Sequence, residues 1–411
     1  MHVVFVCAEY SIDGRPTGGF GTYIDHISRS LVAAGTQVTI ICDGDRNRIF
    51  TSKLLTVIVL PPVGYSFAKF LHTIPFKPLT RLVRFLQYPL GFSLAVTKEL
   101  LRASNESIDV IEGGDFGSEL LFYLLFRKNN YPPVIIKLHT PSFMIRKYNR
   151  EKNSLFYKIL EKTERISLLR ANSVYSPTHV LAQIVEKKIG RKISEVIPYP
   201  ISGKMQKKVT KRDKYTILFV GKLQRKKGIF ILLQAFAEVL DIIPQTKLII
   251  VGPDTLENGI SVKAKLLERL PPAIYSAIKF VGPISQKRLF TYYRKATVTV
   301  VPSLWENYPN VLLEAAENNS PIIASRSGGI PEMVRHNREA ILVTPGNSVS
   351  LSKGIIHLLT HSQIRIKLVR AARTRLQNEL SPPEIGKKTL IYYRNVCKEN
   401  KEAIPVQNNG R

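Results

Sequence analysis

Short runs of apolar residues alternate with longer segments of helical periodicity along the whole chain. Near its start, the apolar run 3–8 is followed by a glycine-rich segment, by Ile24, Ile27 and Leu31 at helical spacing, and by a second apolar run, 38–42. Strand, glycine turn, helix and strand in this order predict a βαβ unit. Because the strands of such a unit are parallel, we expect ligands at their carboxyl ends.

The alternation occurs twice, on either side of a polar and basic segment at 201–214. Ten further apolar runs are strand candidates: 108–114, 134–140, 173–177, 194–200, 216–222, 247–253, 278–283, 297–303, 321–325 and 340–345. The fold class that we predict is therefore α/β, with two Rossmann-like domains whose parallel sheets face each other across a cleft.

The domain boundaries follow from the same basic segment. We predict an N-terminal domain over residues 1–203 and a C-terminal domain over residues 204–380. The last segment, 381–411, predicts a terminal helix that packs back on the N-terminal domain, followed by a frayed tail.

Charge adds one feature to this picture, because the chain is strongly basic. Its 411 residues include 60 Lys and Arg but only 31 Asp and Glu, a formal net charge of +29, while a hydrophobic content of 44% is that of an ordinary globular protein. Such a charge would suit a nucleic-acid-binding protein. The sequence has no helix-turn-helix pattern, zinc-finger spacing or RNA-recognition signature, so we expect no nucleic acid partner and keep this class as a minor alternative.

Part of the positive charge is concentrated among aromatic residues. Residues 51–100 carry six basic side chains and one acidic one, interleaved with residues such as Phe67, Phe70 and Phe85. This pattern is typical of a helix that lies on an anionic membrane surface, although a solvated face beside a core-facing stripe explains it equally well. The sequence thus suggests an anionic membrane surface as one partner.

Cysteine usage and hydropathy bear on location. Cys7, Cys42 and Cys397 are too few and too scattered for a disulfide framework or a metal cluster, and they fit a reducing cytosol. We expect no signal peptide, because the N-terminal stretch lacks a basic region and Glu9 interrupts its apolar run. We expect no spanning helix, because no apolar run reaches about 18 residues. The expected location is the cytoplasm, with peripheral attachment to the inner face of the plasma membrane.

The most specific chemistry lies in residues 303–316. Pro309 prevents a helix from extending back to Glu306, and Asn310 is a good N-cap for a helix that carries Val311 and Glu314. Unpaired amides at the start of this helix would form a site for phosphate, and the two carboxylates can accept hydrogen bonds from sugar hydroxyls. Either glutamate taken alone could equally be a solvated surface acid.

With its Glu-x7-Glu spacing, this segment resembles the donor-site motif of the retaining glycosyltransferases of family 4, which adopt the GT-B fold. The resemblance covers about residues 1–375. It implies that the N-terminal domain takes the acceptor and the C-terminal domain the nucleotide-sugar donor. It also implies that Glu306 orients the transferred sugar, that Glu314 holds the ribose hydroxyls, and that the nucleotide site includes Asn310, Val311 and Leu312.

A second segment, 221–228, resembles the family's loop whose two cations hold the donor diphosphate. By this resemblance Lys222 and Lys227 bind phosphate and stabilise the leaving group. Lys222 stands where arginine is usual, which keeps the charge but loses the planar fork of a guanidinium. We expect the neighbouring Arg225 and Lys226 to be solvated.

Three N-terminal glycines resemble the family's loop that closes over the diphosphate and the sugar: Gly18, Gly19 and Gly21. The alternative is a dinucleotide fingerprint, because Asp43 follows at a suitable distance, but Ile24 occupies the third glycine position. His139, at the end of a predicted strand, matches the histidine that faces the donor sugar. As a lone histidine it could equally be structural.

Two further turns complete the resemblance. The segment 327–332 resembles the turn that lines the donor pocket, and the turn containing Gly282 is expected near the nucleotide base. The function implied is a retaining hexosyltransferase that needs no metal and no cofactor, moving a sugar from a nucleotide-sugar donor to a hydroxyl of a carbohydrate or lipid-linked acceptor. The first alternative is a nucleotide-sugar epimerase of the same fold, which would need no acceptor.

Overall fold

The structure, a computed structural model, describes residues 1–10, 18–64, 90–103, 107–128, 130–150, 154–205, 212–257, 259–268 and 270–403. The described chain forms two α/β domains, each built on a sheet of mainly parallel strands, and this confirms the predicted fold class. The predicted membrane-binding segment falls largely on 65–89, which lie outside the described residues, as does the tail after 403.

The N-terminal domain contains an eight-stranded sheet of order β3-β4-β2-β1-β5-β6-β7-β8. Its strands are β1 (His2–Val6), β2 (Gln37–Asp43), β3 (Arg48–Ser52), β4 (Leu55–Leu60), β5 (Val110–Gly114), β6 (Val134–Lys137), β7 (Ser173–Ser176) and β8 (Glu195–Val196). All neighbours are parallel except β3 and β4, an antiparallel pair at one edge that the sequence pattern did not predict.

Helices cover the N-terminal sheet. They are α1 (Gly19–Ala33), α2 (Phe92–Arg102), α3 (Leu121–Phe126), α4 (Ser142–Asn149), α5 (Leu155–Arg170) and α6 (His179–Ile189), with a 3-10 turn at Phe116–Ser118. Strands buried on both faces are mainly apolar, and β1 and β5 are buried along their whole length. The exception on β5 is Glu112, whose carboxylate accepts hydrogen bonds from buried tyrosine hydroxyls.

The C-terminal domain contains a six-stranded parallel sheet of order β13-β10-β9-β14-β15-β16 and a small hairpin. The strands are β9 (Thr216–Val220), β10 (Lys247–Val251), β11 (Leu256–Glu257), β12 (Ile260–Ser261), β13 (Ile278–Gly282), β14 (Val298–Val301), β15 (Ile322–Ser325) and β16 (Ile341–Val343). Its helices are α7 (Ile229–Ile242), α8 (Val262–Leu267), α9 (Pro272–Ser276), α10 (Gln286–Lys295), α11 (Asn310–Glu317), α12 (Ile330–Met333), α13 (Ser348–Thr360) and α14 (Ser362–Glu379), with a 3-10 turn at Arg225–Lys227.

The order of the strands determines where loops can form a site. In the first sheet β1 lies between β2 and β5, and in the second sheet β9 lies between β10 and β14. Chain connections therefore diverge to opposite sides beside β1 and beside β9, and at such switch points the loops after the strands leave a crevice. The loops that follow β1, β6, β9 and β14 carry most of the predicted site residues.

The last helix, α15 (Pro382–Glu402), returns from the C-terminal domain to the N-terminal one. It packs along α1, and the hydroxyl of Tyr393 donates to the buried carboxylate of Glu112 on β5. The two chain segments that cross between domains are joined where the amide of Ile201 donates to the carbonyl of Leu380 at 2.9 Å. No helix in the described part of the chain is long and apolar enough to span a membrane.

Candidate active site

The two phosphate-binding candidates on the C-terminal domain meet because β9 and β14 are neighbours. The amide of Leu304, after β14, donates to the carbonyl of Lys226, after β9, at 2.8 Å. Gly228 adopts a φ of +76°, and a Cβ there would lie 1.9 Å from the carbonyl oxygen of Pro302. Only glycine allows this approach, so Gly228 brings the two loops together.

Lys227 and Glu306 form a close ion pair between these loops. Glu306 is only 6% exposed, and its Oε1 also lies 3.4 Å from the hydroxyl of Ser303. Burial alone would raise the pKa of this carboxyl, but the charges of Lys227 and Lys226 outweigh it, so the pKa is lowered. Glu306 is therefore an ionised acceptor held at the floor of the crevice.

The three consecutive cations after β9 point in different directions, because a 3-10 turn has three residues per turn. Arg225 pairs with Glu257 at 2.8 Å, and Lys227 pairs with Glu306. Lys226 is only 7% exposed, and its Nζ lies 5.6 Å from the ring centroid of Trp305. The prediction that Lys226 is solvated was therefore wrong, while Arg225 keeps a side-chain exposure of 32%. Lys222 is exposed at the end of β9.

Helix α11 begins one residue earlier than predicted from a cap at Asn310. Pro309 occupies the N-cap position, and Asn310 is the first helical residue, with its side-chain amide donating to the carbonyl of Gly19 at 3.2 Å. The predicted capping role of Asn310 is thus replaced by a contact across the cleft. The amide of Leu312 already donates to the carbonyl of Pro309, so not every predicted amide is free for phosphate.

Glu314 lies in α11 and is partly exposed. Its Oε2 accepts a hydrogen bond from the hydroxyl of Tyr293 at 2.7 Å. Burial raises the pKa of this carboxyl to about 7, and the charge of Glu317 adds to the rise while the tyrosine hydroxyl opposes it. Glu314 therefore titrates near neutrality until a ligand brings further donors.

His139 forms the opposite wall of the cleft, immediately after β6. Its backbone amide donates to Asp115 at 2.9 Å, and its carbonyl accepts from the side-chain amide of Asn307, in the C-terminal domain, at 2.7 Å. Burial and the nearby charge of Lys137 hold the pKa of the imidazole well below its usual range. His139 is thus a neutral ring in direct contact with the loop that carries Glu306.

The predicted glycines lie at the start of α1 rather than in an open loop. Gly18 is the extended N-cap residue, while Gly19 and Gly21 are helical. A Cβ on Gly18 would lie 1.9 Å from the carboxylate of Glu9. Phe20 lies between Gly19 and Gly21 in the chain, and its ring packs against the imidazole of His139 with a centroid separation of 4.0 Å. This turn therefore brings an aromatic ring, as well as glycine backbone, against His139.

The turn at 327–332 connects the two domains. Cβ atoms on Gly328 and Gly329 would lie 1.9 and 2.1 Å from the carbonyl oxygens of Glu306 and Asn307 respectively. Glu332 accepts hydrogen bonds from the amides of His179 and Val180 at 2.8 and 2.9 Å, at the N-terminus of α6 in the other domain. A carboxylate at a helix N-terminus is stabilising, so this turn holds the domains together.

Gly282 ends β13 at the outer edge of the C-terminal sheet. Its carbonyl accepts from the amide of Gly252 at 3.0 Å, which places the turn beside the end of β10. Among the described residues, no group of three or more histidine, cysteine or acidic side chains is arranged to hold a metal ion.

Three residues of the site were missed by sequence reasoning. Asn307 contacts both His139 and Thr178, Tyr293 supports Glu314, and Tyr199 bonds the imidazole of His139. Asn307 lies inside the motif and could have been singled out by its position next to Glu306. The two tyrosines lie in segments without any motif, so the sequence carries no signal for them.

Two facing α/β domains with a cleft at their switch points define the GT-B fold class, and in this cleft cations and a carboxylate lie opposite a neutral histidine. The family models agree: Glycosyltransferase Family 4 matches residues 17–202, and Glycosyl transferases group 1 matches residues 202–375. The chain belongs to the family-4 glycosyltransferases.

Individual curated relatives match only part of this chain. The D-inositol 3-phosphate glycosyltransferase of Acidothermus cellulolyticus is 35% identical over 166 residues, which are 39% of this chain and 36% of that protein. Matching segments span between 31% and 45% of the curated relatives' own length, so the chain matches less than half of each. This similarity by itself does not extend to their activities or substrates.

Solved structures match over almost the whole chain. Sucrose-phosphate synthase from Thermosynechococcus elongatus has a TM-score of 0.74 at 20% identity and covers 97% of this chain and 99% of its own. HepE from Anabaena, solved with UDP and glucose, has a TM-score of 0.67 at 18% identity over 96% of this chain and 100% of its own. At these identities the likeness shows the fold.

Proposed function

We propose that this protein transfers a hexosyl unit from a nucleoside diphosphate sugar to a hydroxyl acceptor, with retention of configuration at the anomeric carbon and without a metal ion. The observation that carries the proposal is the ion pair between Lys227 and the buried Glu306, whose neighbour Asn307 donates a hydrogen bond to the backbone carbonyl of His139 on the other domain. A donor bound there has its phosphates at the cations and its sugar between Glu306 and His139.

The C-terminal wall supplies the charge that such a reaction needs. When the bond between the anomeric carbon and the phosphate oxygen breaks, negative charge develops on the leaving diphosphate. Lys222 is exposed at the end of β9, and Lys227 ends the 3-10 turn that precedes α7. Two ammonium groups at a helix start stabilise a diphosphate through charge-assisted hydrogen bonds.

The N-terminal wall supplies neutral contacts and access for the acceptor. His139 is neutral and Asn307 holds its backbone, so the sugar meets hydrogen-bonding groups that do not compete with the phosphates for charge. The relative from Acidothermus is named for transfer to an inositol phosphate, and the solved neighbours include a sucrose-phosphate synthase. These names support a carbohydrate hydroxyl as acceptor, free or lipid-linked.

Donor binding is tested first by thermal unfolding with UDP-, GDP- and ADP-sugars. A ligand at about 100 times its Kd stabilises the folded state by about 2.7 kcal/mol, so a matched donor raises the melting temperature. HepE was solved with UDP and glucose, so UDP-glucose is the first donor to try. If none of these donors changes the melting temperature, the donor-site assignment is wrong.

Transfer is then measured with the protecting donor and a set of sugar, cyclitol and lipid-linked acceptors. The anomeric proton coupling of the product distinguishes retention from inversion, and a chelator tests the metal requirement. Glu306→Gln should abolish transfer, whereas Glu257→Gln, which alters another ion-paired glutamate at 18% side-chain exposure, should leave it unchanged. An epimerised donor formed without any acceptor would favour the epimerase instead.

The charge of the chain also bears on where this reaction takes place. The edge strand β3 exposes Ile49 and Phe50, at 68% and 42%, immediately before the basic and aromatic stretch 51–100. Apolar side chains beside cations support peripheral binding of a cytoplasmic protein to the anionic inner face of the plasma membrane. The wild-type protein should bind anionic liposomes but not neutral ones. This binding should weaken in the double variant Ile49→Ser/Phe50→Ser. It should persist in Ile366→Ser, which alters an exposed apolar position of the other domain. Equal binding to both kinds of liposome would contradict this.

A further inference from the structure

Tyr199 lies in the segment that leads from β8 to the second domain, and it is only 4% exposed. Its ring contacts Tyr23 of the N-terminal domain and Tyr308 of the C-terminal domain, each with a centroid separation of 4.7 Å. Its hydroxyl forms a hydrogen bond with Nδ1 of His139. A residue outside every motif therefore touches the imidazole that faces the donor site.

The direction of this hydrogen bond follows from what each group requires. A buried phenol O–H needs an acceptor, and among the described residues the hydroxyl of Tyr199 has Nδ1 of His139 as its partner. A neutral imidazole offers one acceptor nitrogen and one N–H. If Tyr199 donates to Nδ1, the proton of His139 must be on Nε2.

The surroundings of the ring keep it neutral. Lys137 is fully buried nearby, with Nζ donating to the carbonyl of Ile197 at 3.1 Å and lying 5.3 Å from the ring centroid of Tyr199. Burial is the main reason that the imidazole of His139 stays neutral, and positive charge on Lys137 lowers the pKa of the imidazole further. Asp115 accepts a hydrogen bond from the backbone amide of His139 at 2.9 Å, so this contact is with the backbone of His139.

Nε2 of His139 is buried and has no hydrogen-bond partner among the described residues. A buried N–H without an acceptor is costly, and proteins retain such a group where a ligand completes it. The neighbouring ring of Phe20 cannot accept a conventional hydrogen bond, and it belongs to the turn that starts α1. The unsatisfied donor thus lies at the wall of the cleft.

We propose that Tyr199 is a positioning residue that holds His139 as a neutral imidazole with its proton on Nε2, so that His139 donates a hydrogen bond to an oxygen of the transferred sugar. The identity of the ligand rests on the proposed function. Because Tyr199 also packs on Tyr308, the orientation of the imidazole depends on the contact between the two domains.

The tautomer is measured directly by long-range 1H–15N correlation spectra of the unliganded protein. The chain has 8 histidines, so the signals of His139 are assigned by their loss in His139→Gln. We expect a protonated Nε2 and an unprotonated, hydrogen-bonded Nδ1. A proton on Nδ1 in the wild-type protein, or an averaged ring signal, would overturn the proposal, and neither observation requires catalysis.

Tyr199→Phe keeps the aromatic packing and removes the hydroxyl. We expect the His139 signals to change to a mixture of tautomers, while Tyr393→Phe, which removes another buried hydroxyl from the same region, leaves them as in the wild type. If both variants change the signals alike, the effect is structural and the positioning role is rejected. The Tyr393 variant also serves as a matched control for lost stability.

Kinetics test the consequence for the reaction. Tyr199→Phe should lower kcat about tenfold with less than a twofold change in the donor KM, and it should cause no further loss in a His139→Gln background. Equal losses in both backgrounds would contradict action through His139. If the wild-type protein shows the expected tautomer but no sugar transfer, the proposed function fails while the assignment of Tyr199 is supported.

Discussion

The two walls of the cleft hold their buried polar groups in opposite ways. On the C-terminal wall, Glu306 is ionised because the charges of Lys227 and Lys226 compensate its burial. On the N-terminal wall, His139 is neutral because burial and Lys137 both act against its charge, and it is held by Tyr199 and by its own backbone. The C-terminal wall therefore provides charged groups, and the N-terminal wall provides a neutral hydrogen-bonding group in a fixed orientation.

This difference matches the two parts of a nucleotide sugar. A diphosphate gains charge as it leaves, so cations that are already in place stabilise the transition state without reorganisation. The sugar carries only hydroxyls, for which neutral donors and a single fixed carboxylate are sufficient. Removing a charged group should therefore cost more activity than removing a neutral one.

The largest loss is expected from Lys227→Met. The variant removes a cation from the diphosphate site and leaves Glu306 buried without its ion-pair partner, so the pKa of Glu306 should rise. We expect kcat/KM for transfer to fall by about a thousandfold or more. Steady-state kinetics with the protecting donor measure this.

The matched control for Lys227 is Lys265→Met. Lys265 has a similar side-chain exposure, 22% against 26%, and also forms an ion pair with a glutamate, but it lies in α8 outside the cleft. It should retain normal transfer. If the two variants lose activity equally, the C-terminal wall does not act through phosphate binding.

The second largest loss is expected from His139→Leu. This change removes a hydrogen-bond donor to the sugar but leaves the cations intact, so we expect kcat to fall about a hundredfold while the free nucleotide binds as before. Isothermal titration with the nucleoside diphosphate separates the two effects. A large loss of nucleotide affinity would contradict the assignment of the nucleotide to the C-terminal wall and of the sugar to the N-terminal wall.

The sequence indicates which residues of the charged C-terminal wall lie close together, because they fall in short segments with regular spacing. Lys222, Lys227, Glu306 and Glu314 all fall on loops after adjacent parallel strands or on the helix that follows, and strand order brings such loops together. Lys226 was misjudged because the 3-10 turn directs it towards Trp305, a rotation that a run of cations does not reveal.

The neutral wall could be predicted only in part, because it is built from distant pairs. His139 contacts Tyr199, 60 positions later, and Asn307, 168 positions later. Neither contact leaves a local pattern, and a tyrosine in an apolar segment is indistinguishable from a core residue. The antiparallel strand β3 was missed for a different reason, since its exposed Ile49 and Phe50 give no alternating pattern.

A smaller effect is expected from pH at the nucleotide end of the charged wall. Burial raises the pKa of Glu314 to about 7, so below this pH the carboxyl is protonated and accepts fewer hydrogen bonds from ribose. Affinity for a nucleotide sugar should rise about tenfold between pH 6 and pH 8. Glu314→Gln should bind more weakly at pH 8 and show no such rise, and a rise of equal size in this variant would assign the titration to another group.

The smallest effect concerns stability behind the neutral wall. Glu164 on α5 is 3% exposed and accepts hydrogen bonds from the amide and the hydroxyl of Ser142, near His139. Burial, and then the charge of Asp115, raise the pKa of this carboxyl to about 8. The folded state therefore holds a proton that the unfolded chain releases above about pH 4.5, and the stability from this group is lost as the pH rises to 8.

Glu164→Gln is neutral at every pH and should remove this loss. We expect melting temperatures of the variant and the wild type to agree near pH 5 and to differ by about 2 to 4 °C in favour of the variant at pH 9. Glu161→Gln, a change at an ion-paired position on the same helix, should give a difference that does not grow with pH. A pH-independent difference for Glu164→Gln as well would mean that Glu164 is already ionised at pH 5 and that the neutral wall contains a buried charge.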